Sequence, residues 1–255
     1  MGRLTKEQTK LHNQARELIS LSRDLRHDER LFVAENWDPV ASHNITASSA
    51  FFTPRNLAEH LAIETLVCDS VTLDLCAGIG SISLAVLDRY HNSKETQLIC
   101  IERENIFYHV GKRIVPEAKW INCDVFKLLD AEFVEKNLPE FKYKDVEFIS
   151  NPPFGAIPKD NRNKCVGRKF EYAVAEIGMR FASTGTMIVA DGVTPWRYSG
   201  KQGFTQQDNP EYQEWSNKTD IVLEPNCGID TTLLDAFKHT KVVTEITNVY
   251  RKNAE

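Results

Sequence analysis

The chain has 255 residues, of which 42% are hydrophobic and 26% are charged, and its formal net charge at pH 7 is -5. This composition is typical of a globular protein and argues against a disordered chain, and no apolar run is long enough to cross a bilayer. The negative charge argues against a protein that coats nucleic acid with a uniformly basic surface, because such binding depends on Lys and Arg placed along the phosphates.

The six cysteines are scattered and form no CxxC pair, so we predict reduced thiols and no zinc site. The seven histidines show no spacing typical of a metal site or a nucleophilic triad. The first residues also lack the apolar run of a secretion signal. Together these features predict a cytoplasmic protein without a bound metal and without a membrane partner.

The N-terminal region is predicted to be helical. Residues 5 to about 33 are interpreted as one long helix, because Thr5 and Gln8 have capping-box spacing and apolar residues then recur on one face as far as Leu25. We assign residues 1–48 to an N-terminal helical extension, with a turn-rich connection over 37–54.

From residue 55 onward the pattern alternates between helices and strands. Short β-branched runs separated by amphipathic helices predict an α/β fold with a mostly parallel sheet, covered by helices on both faces. The predicted strands are SVTLDL, TQLICIE, KWINCD, DVEFIS, TGTMIVAD, TDIVLE and KVVTEITNVYR. Residues 192–220 have little periodicity, so we interpret them as an insertion at the rim of the sheet and a candidate substrate-binding loop.

Three strand ends carry residues suited to ligand binding, since ligands of such sheets lie beyond the carboxyl ends of the strands. One strand ends near Asp74 and is followed by Gly78-x-Gly80, whose tight turn could press its backbone against a ligand. Glu102 ends the next strand and could bind both hydroxyls of a ribose. Asp124 ends the third and could accept a hydrogen bond from an adenine amino group.

A dinucleotide fits this pattern poorly. A dinucleotide site normally has a GxGxxG run with the pyrophosphate at the N-terminus of the helix that follows, and here Ser83 replaces the third glycine. Asp74 would repel phosphate, whereas it suits a ligand that carries an ammonium group.

In combination these motifs resemble the γ-class S-adenosylmethionine-dependent amino-methyltransferases, especially the DNA adenine-N6 enzymes. The motifs that carry the resemblance are FFTPRNLAEHLA (51–62), DLCAGIG (74–80), Glu102, Asp124 and NPPF (151–154). It covers about residues 50–190 and, weakly, the terminal strands. It implies a Rossmann-like class I methyltransferase fold with a seven-stranded sheet, and it makes residues 49–255 the catalytic domain.

The resemblance also implies S-adenosyl-L-methionine as cofactor, S-adenosyl-L-homocysteine as product, and a set of cofactor-binding residues. These are Phe52, Thr53 and Pro54 at the methionine end, Asp74, Cys76, Ala77, Gly78, Gly80 and Asn151 around the pocket, Glu102 at the ribose, and Asp124 with Val125 at the adenine.

The NPPF segment would carry the chemistry. The exocyclic amine of adenine is a weak nucleophile because its lone pair is delocalised into the ring. If the Asn151 side-chain oxygen and the Pro152 carbonyl accept its two N–H bonds, the lone pair is localised and aimed at the methyl group. Pro152 and Pro153 have φ fixed by their rings, which preorganises these acceptors. Phe154 offers a face on which a flipped-out base can stack.

Double-stranded DNA with base flipping is the substrate that the resemblance favours, for a modification or anti-restriction enzyme. Asn at position 151 is typical of adenine-N6 chemistry, whereas Ser there is typical of cytosine-N4 chemistry. Phe154 stands where Tyr is commoner, and NPPF also occurs in RNA base methyltransferases acting on adenine-N6 or guanine-N2. Protein glutamine-N5 methyltransferases have a similar Asn-Pro-Pro loop, and a non-catalytic binding module is a further alternative.

No separate target-recognition domain is apparent, so substrate recognition is expected from the basic loop 158–170, the insertion 192–220 and the N-terminal helix, or from a specificity subunit or self-association. The candidate substrate-binding residues are Lys159, Arg162, Lys164, Arg168 and Lys169 in a basic loop, and Trp196 and Arg197 in the insertion, where Tyr198, Lys201 and Trp215 are further candidates. A solvated loop is the alternative for the basic segment, and core packing is the alternative for Trp196 and Trp215.

Overall fold

A computed structural model describes residues 4–38, 51–65, 71–90, 97–139, 145–226 and 228–252. The helices are α1 (Lys6–Ile19), α2 (His27–Asn36), α3 (Arg55–Glu64), α4 (Ser81–Tyr90), α5 (Asn105–Ile114), α6 (Ala131–Asn137), α7 (Phe170–Gly178) and α8 (Pro210–Thr219). The strands are β1 (Val71–Leu75), β2 (Gln97–Glu102), β3 (Lys119–Asn122), β4 (Val146–Ser150), β5 (Thr184–Ala190), β6 (Trp196–Arg197), β7 (Thr205–Gln206), β8 (Ile221–Pro225) and β9 (Thr244–Arg251). Within these ranges no helix has the length and apolar character needed to span a membrane.

Seven strands form one sheet in the order β3-β2-β1-β4-β5-β9-β8. The first five are parallel, and β9 runs antiparallel to both of its neighbours. Ile99 and Ile101 on β2 face one hydrophobic cluster while Leu98 and Cys100 face another, so both faces of the sheet are covered. The predicted mostly parallel seven-stranded sheet is thus confirmed. The strand order reverses between β1 and β4, which is where such sheets bind ligands.

Phe148 on β4 lies at the centre of the core. Its ring is fully buried and occupies the space beside two glycines, Gly178 at the end of α7 and Gly185 on β5. A methyl group at Gly185 would lie 2.1 Å from the ring, and one at Gly178 would lie 2.6 Å from it. The two glycines therefore let α7 and β5 pack closely against the strand that leads into Asn151.

The long N-terminal helix predicted over residues 5–33 is wrong, because the structure has two helices there. The capping box at Thr5 and Gln8 is present, with bonds of 2.9 and 3.1 Å. α1 ends at Ile19, and Glu29 accepts the backbone N–H of Arg26 at 2.8 Å and pairs with Arg23 at 2.7 Å. These side-chain bonds stabilise a turn before α2, which the apolar periodicity alone did not reveal.

The N-terminal helices are fastened to the C-terminal part of the chain through Asp38. Its carboxylate, in a residue that is 2% exposed, lies 2.8 Å from His239 Nε2, and its backbone N–H donates to His12 Nδ1 at 3.0 Å. Burial lowers the pKa of His12, which favours the neutral ring that can accept this bond. Lys238 also donates to the carbonyl of Glu35. No role is predicted for either histidine from the sequence, yet His239 joins Asp38 across 201 positions and His12 joins it across 26. The predicted domain boundary at residues 48 and 49 lies outside the described residues, as does most of the predicted connection.

The 192–220 segment is more regular than its sequence suggested. β6 and β7 pair as a short antiparallel hairpin, and α8 fills the second half of the segment. Asn209 caps α8 by accepting the N–H of Tyr212 at 3.0 Å, and Pro210 occupies the first helical turn. This Asn-Pro start is a helix signal that the sequence analysis overlooked. Trp215 is buried on α8, so the core interpretation accounts for it.

Replacing Gly185 by Ala is expected to lower the free energy of unfolding by about 1–3 kcal/mol, because the added methyl group overpacks against Phe148. Urea denaturation measures this change. Gly203→Ala is the matched control, since no atom lies within 4 Å of the position that its methyl group would take. The double variant Gly185→Ala with Phe148→Leu should lose less stability than the sum of the losses in the two single variants, because the smaller side chain makes room for the methyl group. A loss equal to that sum would contradict the proposed contact.

Candidate functional site

A cavity of about 270 Å³ lies at the carboxyl ends of the parallel strands, where the strand order reverses. The predicted site residues in its lining are Phe52, Thr53, Cys76, Ala77, Gly78, Glu102, Asp124, Val125, Asn151, Pro152, Pro153 and Phe154. Among the predicted catalytic and cofactor-binding residues, three are outside the lining, namely Pro54, Asp74 and Gly80. The fold therefore brings most of the predicted catalytic and cofactor-binding residues around one space, although they extend from Phe52 to Phe154 in the chain.

The side chain of Asn151 is held in one orientation by the segment before α3. Its Nδ2 donates to the carbonyl of Phe51 and to Thr53 Oγ1, both at 3.0 Å. A carbonyl can only accept a hydrogen bond, so the amide must turn its nitrogen toward Phe51. The Oδ1 atom is buried and has no hydrogen-bond partner among the described residues. An unpaired buried acceptor of this kind costs about 1–3 kcal/mol, and a ligand that donates to it would recover that free energy.

The loop that follows Asn151 is braced against the start of α7. Pro152 is buried, and Gly155 has a φ of +100°, a conformation that favours glycine. The N–H of Phe170 donates to the carbonyl of Gly155 at 2.7 Å. Glu171, which is 2% exposed, accepts the N–H of Gly155 at 3.3 Å. Burial raises the pKa of Glu171 to about 6, partly offset by hydrogen bonds from backbone amides that include Gly155 and Ala190.

The loop after β1 has an unusual backbone. Cys76, Gly78 and Gly80 have φ values of +63°, +59° and +84°, so the chain turns sharply before α4. The N–H of Gly78 donates to Glu102 Oε2 at 2.8 Å, which joins this loop to the end of β2. A methyl group at Gly78 would lie 3.3 Å from the ring of Phe52, so the glycine lets that ring pack close to the loop.

Asp74 and Glu102 are buried carboxyl groups beside this loop. Asp74 accepts a 2.5 Å hydrogen bond from Ser83 on Oδ2, while its Oδ1 is buried without a partner among the described residues. Glu102 accepts the backbone N–H of Glu104 at 2.6 Å, in addition to that of Gly78. Burial raises the pKa of each carboxyl group to about 7. A ligand that brings positive charge or hydroxyl groups would stabilise the ionised forms.

Asp124, which follows β3, uses one of its two carboxylate oxygens to cap the next turn of the chain. Asp124 Oδ1 accepts the N–H of Phe126 at 2.9 Å and so caps the 3-10 helix Val125–Leu129. Its Oδ2 lies 3.9 Å from Arg103, and the side chain is 37% exposed, so one oxygen faces a cation and solvent at the edge of the cavity. Asp124 can therefore still accept a hydrogen bond from a ligand.

Aromatic residues surround the cavity. Phe154 stacks on Phe51 with centroids 6.3 Å apart, and it meets Phe237 edge to face at 6.0 Å. Phe52 contacts Phe107 in the same edge-to-face manner at 4.9 Å. Phe154 thus stands between two aromatic rings that come from opposite ends of the chain.

The sequence analysis missed several residues of this site. They are Phe51, Ser81, Arg103, Phe107 and Phe170 in the cavity lining, together with Glu171 and Phe237 behind it. Phe51 and Ser81 adjoin predicted motifs, so motif adjacency could have identified them. Phe237 lies in a segment without periodicity, and only the fold brings it to Phe154. The buried Ser81 Oγ, like Asn151 Oδ1, has no partner among the described residues.

The candidate substrate-binding residues fall into two groups. Residues 156–169 form a basic hairpin, in which Ala156 pairs with Lys169 and Pro158 lines the cavity. Its exposed cations are Lys159, Arg162, Lys164 and Arg168, whereas Lys169 is half-buried and pairs with Glu211 at 3.0 Å. Trp196 is buried and donates its indole N–H to the carbonyl of Leu223, which fits the core interpretation. Arg197 pairs with Asp191 at 2.9 Å.

The sequence matches no protein-family model and no curated protein, but solved structures share its fold. The methyltransferase subunit of a type I restriction-modification system from Streptococcus thermophilus has 14% identity and a TM-score of 0.57, with 91% of this chain and 52% of that chain covered. A protein from Vibrio vulnificus, assigned as a modification subunit of a type I restriction enzyme, has 12% identity and a TM-score of 0.56, with 90% and 51% covered. A protein from Listeria monocytogenes, assigned as a class I S-adenosylmethionine-dependent methyltransferase, has 13% identity and a TM-score of 0.58, with 99% and 76% covered.

The present chain therefore spans about half the length of the two restriction-modification proteins. The similarity confirms the predicted Rossmann-like class I methyltransferase fold. It also agrees with the position of the cavity, which lies where this type of sheet binds ligands.

Replacing Asp74 by Asn should stabilise the protein at about pH 8, because it removes a fully buried charge while keeping the shape. The pKa of the Asp74 carboxyl group rises from 3.8 to about 7 on folding. Between these two pH values the folded state therefore binds more protons than the unfolded state. Stability consequently falls as the pH rises from about 4 to 7.

Urea denaturation from about pH 4 to 7 should show that the free energy of unfolding falls less steeply with pH in Asp74→Asn than in the parent protein. Asp28→Asn is the control, because Asp28 is exposed and its pKa is lowered by a hydrogen bond from Arg26. An unchanged decline in Asp74→Asn would contradict the burial-driven shift.

Proposed function

We propose that this chain transfers a methyl group from S-adenosyl-L-methionine to the exocyclic N6 amine of adenine in DNA, as a site-specific modification or anti-restriction enzyme. The observation that carries the proposal is the buried, unpaired Oδ1 of Asn151 at the wall of the cavity. The orientation of this atom is imposed by two hydrogen bonds on the other end of the amide. It is a fixed acceptor that awaits an N–H donor.

S-adenosyl-L-methionine is the expected cofactor, and the residues around the cavity suit it. Glu102 presents a carboxylate suited to ribose hydroxyls, and Asp124 with Val125 lines the part of the cavity assigned to the adenine ring. Asp74 contributes an unpaired oxygen and negative charge behind the loop, which favours a positively charged ligand. When bound, this cofactor supplies an electrophilic methyl group on a positively charged sulfur and departs as S-adenosyl-L-homocysteine.

Asn151 and Pro152 activate the target amine. Asn151 Oδ1 and the carbonyl of Pro152 accept its two N–H bonds, which localises the nitrogen lone pair for attack on the methyl group. Both acceptors are held before the substrate arrives, Asn151 by Phe51 and Thr53, and Pro152 by its ring. The positive charge that develops on the amine is stabilised by the same two oxygens until one proton is released to solvent.

Phe154 supports the planar target base. A base stacked on an aromatic ring gains about 1–3 kcal/mol, which helps to offset the free energy of extruding it from a duplex. Phe51 and Phe237 hold the Phe154 ring in place on two sides. A base that reaches Asn151 from duplex DNA must be flipped out, because the acceptor is buried.

DNA is favoured as the substrate by the two type I restriction-modification proteins that share the fold. The basic hairpin at the cavity supports this choice, since its exposed cations can contact phosphates. A specificity subunit or a second copy of the chain would complete the reading of the target sequence.

Asn151→Ala is expected to lower the rate of methyl transfer by at least about 10²-fold, a loss typical of removing a preorganised catalytic acceptor or donor. Transfer of a tritiated methyl group to duplex DNA, to RNA and to a protein extract provides the measurement. Cofactor binding, measured by calorimetry, should persist in the variant. Label in the N6 position of DNA adenine is the expected result for the parent protein, and label found only in RNA or only in protein would refute the proposed substrate.

Thr53→Val provides a finer test, because it removes one of the two bonds to Nδ2 and keeps Oδ1. Its rate should fall between those of the parent and Asn151→Ala. Asn137→Ala is the matched control, since its Nδ2 also donates to a backbone carbonyl, that of Phe133, at 2.8 Å on α6. A rate near that of the parent in Asn151→Ala would refute the role of Asn151.

Removing Lys164 and Arg168 together should weaken binding to duplex DNA and lower the slope of log affinity against log salt by about 2, one unit for each lost phosphate contact. Fluorescence anisotropy with a labelled duplex at several salt concentrations measures this slope. Lys112→Ala combined with Lys136→Ala is the control, because these exposed lysines lie on α5 and α6, outside every predicted recognition segment. An unaltered slope would show that the basic hairpin is a solvated loop.

A further inference from the structure

Two loops at the edge of the sheet that holds the cavity carry strongly exposed apolar side chains. Phe204 is 56% exposed in the loop between β6 and β7, and Leu233 is 82% exposed in the 3-10 turn after β8. These are the two highest exposures of large apolar side chains in the described ranges. Both loops follow strands that end at the carboxyl edge of the sheet, which is the edge where the cavity lies.

A buried carboxylate fastens these two loops to each other. Glu245 on β9 is fully buried and accepts the N–H of Tyr198 at 3.0 Å and that of Ser199 at 2.8 Å. Ser199 Oγ donates to the same carboxylate at 3.0 Å and accepts the N–H of Thr231 at 3.1 Å. We call residues 198–204 and 230–233 the wedge loops, and this network joins them at Tyr198, Ser199 and Thr231.

The wedge loops are linked to the candidate site through Phe237. Gly200 donates its N–H to Asp230 at 3.0 Å, which links the two loops a second time. Phe237 follows Leu233 by four residues and packs edge-on against Phe154 at 6.0 Å. The same segment thus contributes a buried ring, Phe237, that packs on Phe154 and an exposed side chain, Leu233.

The charges around the wedge loops are compatible with a polyanionic partner. Lys201 at the tip of the first loop is exposed. Two nearby carboxylates have partners, since Asp191 pairs with Arg197 at 2.9 Å and Asp230 accepts N–H bonds from Gly200 and from the turn that it caps.

We propose that Phe204 and Leu233 enter the stack of a nucleic acid duplex beside the target adenine and stabilise the base in its extruded position, while Lys201 contacts a phosphate. Apolar side chains, Phe and Leu among them, act in this way in proteins that unstack base steps. A rigid mounting is needed because a mobile side chain would lose conformational entropy on insertion. This inference rests on the proposed function and goes beyond it, since it assigns the unstacking step to residues outside the cavity.

The test begins by mapping the target adenine, by sequencing unmethylated genomic DNA that has been treated with the protein and cofactor. A synthetic duplex containing this site, with 2-aminopurine in place of the target adenine, then reports base extrusion through its fluorescence. The variant is Phe204→Ser combined with Leu233→Ser. We expect it to lose most of the fluorescence increase and to have about tenfold lower kcat/KM on the duplex with adenine restored. Its kcat/KM on the single strand of the same sequence should change less than twofold, because no stack has to be opened.

Ile63→Ser is the matched control, since Ile63 is 48% exposed on α3, a helix without wedge residues. This variant should leave kcat/KM unchanged on both the duplex and the single strand. Unchanged duplex turnover in the double variant, or equal losses on duplex and single strand, would overturn the wedge assignment while leaving the proposed function intact. If the parent methylates no nucleic acid, the proposed function fails and the wedge assignment fails with it. Methylation of protein that is lost in the double variant would assign these loops to a protein partner instead.

Discussion

The site depends on how one amide is oriented. An asparagine side chain has a single oxygen, and here both hydrogens of its nitrogen are used by the Phe51 carbonyl and the Thr53 hydroxyl. The direction of Oδ1 is therefore decided by a segment that precedes Asn151 by about 100 residues. The Phe-Phe-Thr segment therefore has two roles, since it lines the cavity and also orients the acceptor of Asn151 beside it. Small displacements of the start of α3 are expected to affect chemistry as well as binding.

The same region concentrates features that a stable fold normally avoids. Cys76 has a positive φ, and Asp74, Glu102 and Glu171 place carboxyl groups where burial raises their pKa values. Burying a carboxyl group lowers the stability of the fold, whereas burying an apolar side chain raises it. Their clustering around one cavity fits the usual exchange of stability for function, in which the core supplies the stability that the site lacks. Phe148 and its two flanking glycines show how closely that core is packed beneath the site.

Much of the architecture could be predicted, because strand and helix periodicity, turn residues and strand-end polar groups leave local signals. Asp74, Glu102 and Asn151 each end or follow a short apolar run, and parallel strands bring such ends to one edge. The break between α1 and α2 could not be predicted from periodicity, since it depends on Glu29 bonding to Arg23 and Arg26. The contact of Phe237 with Phe154 was equally hidden, because it exists only after β8 and β9 have joined the sheet. Glu171 was missed because a charged residue at a helix start normally indicates solvent, whereas here it is buried against the loop after Asn151.

The link between Asp38 and His239 has a consequence for how the chain is made. Ribosomes release the N-terminal helices first, yet their buried carboxylate meets its histidine partner only after 201 further residues have been synthesised. The β5, β9 and β8 strands must also be paired before His239 is in position, because it lies in the connection between β8 and β9. The first helices to emerge from the ribosome can pack on β2 and α5 early, because they share a hydrophobic cluster with them, but their link to the C-terminal part of the chain is among the last contacts to form.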